Sequence, residues 1–315
     1  LTLPTPAGPT VTVIIPTYRR YAYLRDVLTD LSVQTVPPAQ VVVVDQTEDR
    51  RRESDVIDAF ADRLAIQTIT LRERGTCVSR NAGLAVATSP LVLLLDDDIR
   101  FGPSLIEEHL RVLDETGAGA VHGAVLPPDK ASEELPRHNE NWDAGWALMA
   151  SPNVPYRTAC IGVAGGNLLI RKEMLAKVRG FDEWFNNGAG DDFDLGVRLF
   201  RAGVFVVFDP APAVTHLRAQ TGGRREAEGF GSRFTSLLRR EPPPQIFYLY
   251  MKHFPGWGAR LQLWLYLGRV FSRKNLKHPW VFVFGPIRVL RSWFQAKRMS
   301  ASGPRYADER GGDAR

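Results

Sequence analysis

Four short apolar runs constrain this chain more than any other feature: VTVII at 11 to 15, VVVVD at 41 to 45, IQTITL at 66 to 71 and LVLLL at 91 to 95. β-Branched residues fill the first two, and a strand that is apolar on both alternating faces has to be covered on both. Between the runs, apolar residues recur at helical spacing: Leu24, Val27, Leu28 and Leu31, then Val56, Ala59, Phe60 and Arg63, then Val78, Ala82, Leu84, Ala85 and Ala87. Alternating strand and helix predicts an α/β fold, a Rossmann-like doubly wound and mostly parallel sheet layered on both faces. Beyond residue 117 the pattern loosens into Gly-rich and Pro-rich loops. An apolar segment at 161 to 170, a helix over about 192 to 202 and a strand at 204 to 208 then predict a mixed extension of the sheet.

Charge divides the chain unevenly. Forty Lys and Arg against 35 Asp and Glu give +5, yet residues 242 to 307 hold eleven Lys or Arg, no Asp or Glu, and four of the seven Trp. Taking that +11 from +5 leaves −6 for the remainder. The shift places a boundary at the Glu241 to Pro244 run, so the expected organisation is a catalytic domain over 10–241, a basic, aromatic, helical segment over 242–307, and a disordered tail over 308–315. Only Cys77 and Cys160 occur, too few for a disulfide framework or a thiolate zinc site, which fits a reducing cytoplasmic setting. No leader pattern opens the chain and no run of about 18 apolar residues occurs, so export and a spanning helix are not expected.

Doubly wound sheets bind ligands at the carboxyl ends of their strands, where strand order reverses. Those ends carry Pro16, Thr17 and Tyr18 after the first run, Asp45 after the second, and Asp96, Asp97 and Asp98 after the fourth. Asp96 and Asp98 project to one side of an extended chain, and paired hard oxygens suit Mg²⁺ or Mn²⁺ on a phosphate; the same run also fits an acidic turn capping the helix that starts near Pro103. A second acidic group, Asp191, Asp192 and Asp194, opens an amphipathic helix. Acids favour helix starts, and one of these, exposed between glycines, could also act as general base on a hydroxyl. His216 is a surface or core histidine, or it completes a metal shell with Asp98. Gly165 and Gly166 before Asn167 permit close approach of a ligand or mark a bulge. Arg74, Arg80 and Asn81 lie at a helix start that is either solvated or holds a diphosphate or a base.

Other chemistries lack their signatures. GAGAVHG at 117 to 123 follows a helix and does not join the first strand to its helix, so it is no dinucleotide fingerprint. There is no P-loop and no G-x-S-x-G elbow. A sugar-nucleotide-forming nucleotidyltransferase would need a Gly-rich, Lys-bearing loop after the first strand, where PTYRRY stands. A non-catalytic sugar-binding module would bind ligand without metal.

Taken in order, PTYRR at 16 to 20, Asp45, GTCVSRNAGLAVA at 75 to 87, LDDD at 95 to 98, GGNLLIRK at 165 to 172, GDDFDLGVR at 190 to 198 and His216 resemble family 2 glycosyltransferases of the A-type glycosyltransferase fold. The resemblance spans roughly residues 10 to 220. It implies an inverting, metal-dependent transfer of a sugar from a nucleotide-diphosphate donor to a hydroxyl on a glycan or lipid-linked acceptor, in cell-envelope or polysaccharide synthesis. By the same carry-over, Pro16, Thr17, Tyr18, Arg19, Asp45, Arg74, Arg80, Asp96 and Asp97 hold the nucleotide, and Gly166 with Asn167 wall the donor sugar and acceptor. Asp98 and His216 ligate Mg²⁺ or Mn²⁺, and the base motif falls on Asp191 and Asp192, with Asp192 the base. The family's acidic pair after the second strand reads Asp45 Gln46, and Asp191 stands where Glu is more frequent.

In the basic segment, a helix from Leu261 to Phe271 shows Leu, Trp and Tyr around most of its girth, flanked by cations. Trp and Tyr favour the headgroup layer and cations attract anionic lipid, so peripheral attachment to the inner face of the cell membrane is expected. Packing on the catalytic core or a dimer interface is the alternative. No nucleic-acid motif accompanies the basic stretch, and nucleic acid is not an expected partner. The segment 215 to 232, with Gly222, Gly223, Arg224 and Arg225, either folds over the donor or is a linker, and loops over 124 to 160 would shape the acceptor pocket.

Overall fold

In the computed structural model, which describes residues 9–128, 153–186, 190–219, 243–271 and 280–307, the four apolar runs are neighbouring strands. β1 (Val11–Thr17), β2 (Gln40–Asp45), β3 (Ile66–Thr70) and β4 (Leu91–Leu95) pair in parallel. The sheet order is β3-β2-β1-β4-β8-β6-β9-β5. Its second half comprises β5 (Ile99–Phe101), β6 (Ala120–Leu126), β8 (Asn167–Arg171) and β9 (Val206–His216), with the two-residue β7 (Thr158–Ala159) against β9. β8 runs antiparallel between β4 and β6, and β5 antiparallel to β9, so the extension is mixed.

Period-two alternation sorts each strand into two layers. Val13, Ile15, Val41, Val43, Leu91 and Leu93 face one core with α1 (Tyr21–Ser32) and α4 (Leu105–Thr116). Ile14, Val42, Val44, Val92 and Leu94 face the other, with α3 (Thr76–Val86), α5 (Lys172–Lys177) and α6 (Asp191–Arg201). All eleven strand residues are fully or almost fully buried, each stabilising by about 1.5–3 kcal/mol relative to exposure. Gly83 lets α3 lie against β1, since a Cβ there would sit 2.5 Å from Ile14 Cγ2.

Two readings need correction. The apolar spacing over 56 to 63 forms only a five-residue helix, α2 (Ser54–Asp58), continued by tight turns in which Phe60, Ala61 and Arg63 donate three residues back. The glycine-rich stretch from 117 to 126 is not a loop. Gly117 ends α4 with φ 63°, and β6 follows, buried between β8 and β9. Its glycines answer to packing: a Cβ at Gly119 would meet Val204 at 2.6 Å, and one at Gly123 the Pro212 carbonyl at 2.0 Å.

The C-terminal part forms α7 (Pro244–His253), α8 (Trp257–Val270) and α9 (Val281–Ser302). Phe247 of α7 meets Tyr266 of α8 and Trp293 of α9 edge-on, each at 5.5 Å, and all three helices pack on the second core layer. A buried polar cluster adds to this. Asp182 accepts from Tyr248 Oη and Lys252 Nζ, both at 2.7 Å, while Asp194 of α6 accepts from Arg198 Nε and His253 Nε2, also at 2.7 Å. Among the described residues no helix is long and apolar enough to cross a membrane. The 308–315 tail, the 220–242 portion of the proposed donor-covering segment and residues 129–152 of the pocket loops lie outside the described residues.

Candidate active site

β1 and β4 are adjacent, yet the chain leaves β1 towards β2 on one side and β4 is followed in space by β8 on the other. That reversal opens a crevice at their carboxyl ends. Asp96, Asp97 and Asp98 leave β4 there, and β5 follows at once, pairing Ile99 with His216. This register carries His216 from 118 residues away to the side of Asp98. His216 Nε2 stands 3.7 Å from Asp98 Oδ1 and 3.9 Å from Asp96 Oδ2. One donor atom from each of the three lies within 4.8 Å of the others. Ligands about 2.1 Å from one small cation sit roughly 3 to 4 Å apart, so two hard oxygens and an imidazole nitrogen at this spacing fit Mg²⁺ or Mn²⁺.

Asp98 is otherwise secured. Its Oδ2 accepts the N–H of Ala219 at 2.9 Å and faces Arg20 Nη1 at 3.4 Å, and its carbonyl accepts from Leu217. His216 Nδ1 accepts the N–H of Arg218 at 3.0 Å, an assignment that leaves the ring proton on Nε2. Coordination through Nε2 would call for the other neutral tautomer, with the proton on Nδ1 and the Arg218 N–H bond given up.

The second acidic group reaches the crevice through Arg80 of α3. This guanidinium, only 3 % exposed, lies 3.1 Å from Asp192 Oδ1, 3.2 Å from Asp191 Oδ2 and 3.4 Å from Asp96 Oδ1. Burial alone would lower its pKa, but the three carboxylates outweigh burial and hold it above the ordinary value. Asp96 is raised by burial and by Asp98, against the pull of Arg80 and His216. Asp192 is the most open of the group at 37 % exposure. Both its hydrogen bonds, from Arg80 and from the N–H of Gly165 at 3.0 Å, fall on Oδ1.

The glycine pair serves this junction. A Cβ on Gly165 would sit 2.3 Å from Arg80 Nη1, and one on Gly166 2.4 Å from Asp96 Oδ2. Close approach was expected there, and what approaches is the guanidinium and the carboxylate.

Other expected residues stand elsewhere. Tyr18 has the guanidiniums of Arg19 and Arg74 against its ring, 4.9 and 4.4 Å from the ring centre. Glu48, missed at the level of sequence, joins them: it accepts from Arg19 Nε and Nη2 at 2.9 and 2.7 Å, from Arg74, and from the Tyr18 hydroxyl. Those bonds pull the Glu48 carboxyl down to about 2. Pro16 is half-buried beside them at the end of β1.

Three assignments meet a different arrangement. Asp45 is fully buried, accepting from Tyr21 Oη and Thr47 N–H and paired with Arg52, so it braces the turn after β2. Asp97 is turned inward between Thr17 Oγ1 at 2.8 Å and Arg20 Nη1 at 3.0 Å, and burial raises its pKa to about 7. The side chain of Asn167 is no wall. It is fully buried, bonding Ala124 O, Pro212 O and His109 Nε2 across the bulge between β6 and β9. Asn81 likewise ties α3 to Phe181 and Glu183. Arg20, unassigned in the sequence, bridges Asp97 and Asp98, and its place directly before a helix at a strand's carboxyl end was the available signal.

A model of the family described as glycosyl transferase family 2 matches residues 12–179. The validoxylamine A glucosyltransferase of Streptomyces hygroscopicus subsp. limoneus is 29% identical over 236 residues, covering 62% of this chain and 49% of that protein. The N-acetylglucosaminyl-diphospho-decaprenol L-rhamnosyltransferase of Mycobacterium tuberculosis is 25% identical over 290 residues, covering 84% of this chain and 91% of the relative. Among solved structures, the mannosyltransferase PcManGT from Pyrobaculum calidifontis, in complex with GDP-Man and Mn²⁺, superimposes with a TM-score of 0.53 at 19% identity, over 92% of this chain and 87% of that one. The chain spans half or less of the length of the first curated relatives it matches. The likeness to the solved structure establishes the A-type glycosyltransferase fold.

Proposed function

Because the chain belongs to glycosyl transferase family 2, we propose that it transfers a sugar, with inversion, from a nucleotide-diphosphate donor to a hydroxyl of a glycan or lipid-linked acceptor. Membership favours this over a nucleotidyltransferase or a binding module. The observation that carries the reading is the cluster of Asp96, Asp98 and His216 at the sheet's switch point, joined to Asp192 through the buried Arg80, which touches both Asp96 and Asp192.

Asp98 and His216, with Asp96, would hold Mg²⁺ or Mn²⁺, which supplies Lewis-acid stabilisation of the departing diphosphate. Tyr18, with Arg19 and Arg74 close to its ring, forms an aromatic and cationic ledge suited to a nucleobase and its phosphate. As the acceptor oxygen bonds to the anomeric carbon and the carbon–phosphate oxygen bond breaks, Asp192 Oδ2 takes the hydroxyl proton. Arg80 and the N–H of Gly165 fix Oδ1, so Oδ2 is presented to the acceptor. An acceptor carried on a lipid diphosphate, as named for the mycobacterial relative, and a place in cell-envelope or polysaccharide synthesis fit this reading.

Donor turnover over a panel of uridine, guanosine and thymidine diphosphate sugars, with Mn²⁺, Mg²⁺ or chelator, tests it. One nucleotide should be turned over with a divalent ion and not with chelator, releasing inverted product when acceptor is present. Turnover unaffected by chelator would remove the metal role, and retained anomeric configuration would remove Asp192 as base.

A further inference from the structure

The two last helices are apolar on two opposite sides. Inward, Tyr266 and Leu267 of α8 and Val289, Ala296 and Met299 of α9 pack on the core. Outward, α8 shows Trp257, Leu261, Trp264 and Leu265, and α9 shows Val283, Phe284, Ile287 and Phe294. Spacings of three, four and seven set each group in one stripe. Exposure is high, at 69% for Trp264 and 60% for Ile287. The end of α8 meets the start of α9, where Phe271 and Phe282 stack at 5.9 Å and Gly285 lies against Val270. A continuous apolar surface of this kind calls for an occupant.

Charge selects the occupant. Exposed Arg260, Arg291, Lys297 and Arg298 flank the stripes, and residues 242 to 307 contain no acid at all. A second copy docking through the same face would set cation against cation with nothing to neutralise them. A bilayer carrying anionic headgroups supplies both requirements, an apolar layer for the stripes and negative charge for their rim, and Trp rings favour the boundary between them. We propose that the outward face of α8 and α9 lies on the surface of an anionic lipid bilayer. The helices lie in the interface and do not span it, since neither is long and apolar enough to cross. The proposal is independent of the transfer reading, because binding is measured without turnover.

The test is flotation of the full chain with vesicles of phosphatidylcholine alone or mixed with phosphatidylglycerol. Wild type should float with the mixed vesicles and partition at least about tenfold less onto phosphatidylcholine alone or at high salt. Trp264→Ser with Ile287→Ser should lose binding while keeping the wild-type melting temperature, because both side chains are exposed. Arg291→Glu with Lys297→Glu, a second variant that leaves the apolar stripe intact, should lose it too. The proposal is overturned if wild type stays unbound, if it binds both vesicle types equally, or if both variants float as wild type does. A wild-type dimer by light scattering that Trp264→Ser with Ile287→Ser makes monomeric would likewise overturn it, in favour of self-association.

Discussion

Asp192 and Asp194 sit two residues apart in the first turn of one helix, and they lead opposite lives. Asp192 is partly open, and its bonds fall on a single oxygen. Asp194 is fully buried, with Oδ1 accepting from His253 at 2.7 Å and Lys252 at 2.6 Å, and Oδ2 from Arg198 at 2.7 Å. Burial would raise the Asp194 pKa, but Arg198, His253 and Lys252 overcome it and hold the carboxyl far below its ordinary value. Two identical groups on one scaffold are thus assigned different work by how completely their lone pairs are used. A carboxylate saturated by donors stabilises, and one left half-served can accept a proton from something else.

The sharpest way to break this contrast is Asp192→Asn, which should lower kcat by about 10²–10⁴-fold with donor KM and melting temperature little changed, read by steady-state kinetics. A donor KM that rises in step would reassign Asp192 to binding. Asp194→Asn should do the reverse. It leaves Arg198 without its anion and Lys252 with Asp182 alone, and should cost about 3–5 kcal/mol in urea unfolding, while the folded fraction keeps its turnover. Gly165→Ala should fall between these: its Cβ displaces Arg80, so activity should drop by about tenfold to a hundredfold with a smaller loss of stability.

The smallest effect is on the pH axis. Burial lowers His109 and His122 to about 4, so the unfolded chain binds protons that the folded chain refuses between the ordinary histidine value and 4. Stability should therefore be full above about pH 6.5 and decline as pH falls towards 4, by up to about 1.4 kcal/mol per pH unit for each group. His253, lowered by burial against the pull of Asp194, acts in the same direction. His122→Gln should flatten the slope measured by urea unfolding between pH 6.5 and 4; an unchanged slope would clear His122 of any part in it.

The sequence makes the first half of the sheet plain because β1, β2 and β4 are buried on both faces, leaving no polar alternation to confuse with helix, whereas β3, at the sheet edge, is partly exposed along its length. β6 escapes the same reading. Gly117, Gly119 and Gly123 look like loop punctuation, yet one ends a helix and two make room for Val204 and Pro212, partners more than 80 residues away. The pairing of Asp98 with His216 is legible as ordered motif pieces. The inward turn of Asp97 and Asn167 is not, since it depends on Arg20, His109 and a bulge that no local pattern announces. Lys252 and His253 read as members of a basic run, and only tertiary structure reveals Lys252 as counter-ion to Asp182 and Asp194 and His253 as a hydrogen-bond donor to Asp194.

The pairing of Ile99 with His216 also governs how this protein can diverge. A ladder counts residues, so one deletion between Pro212 and Thr215 would bring Leu217 to the partner position and turn the imidazole to the far face. Substitutions there are negotiable, but changes of length are not. Descendants of this chain can lengthen or trim their surface loops freely, whereas the few residues before His216 must keep their number as strictly as the teeth of a gear.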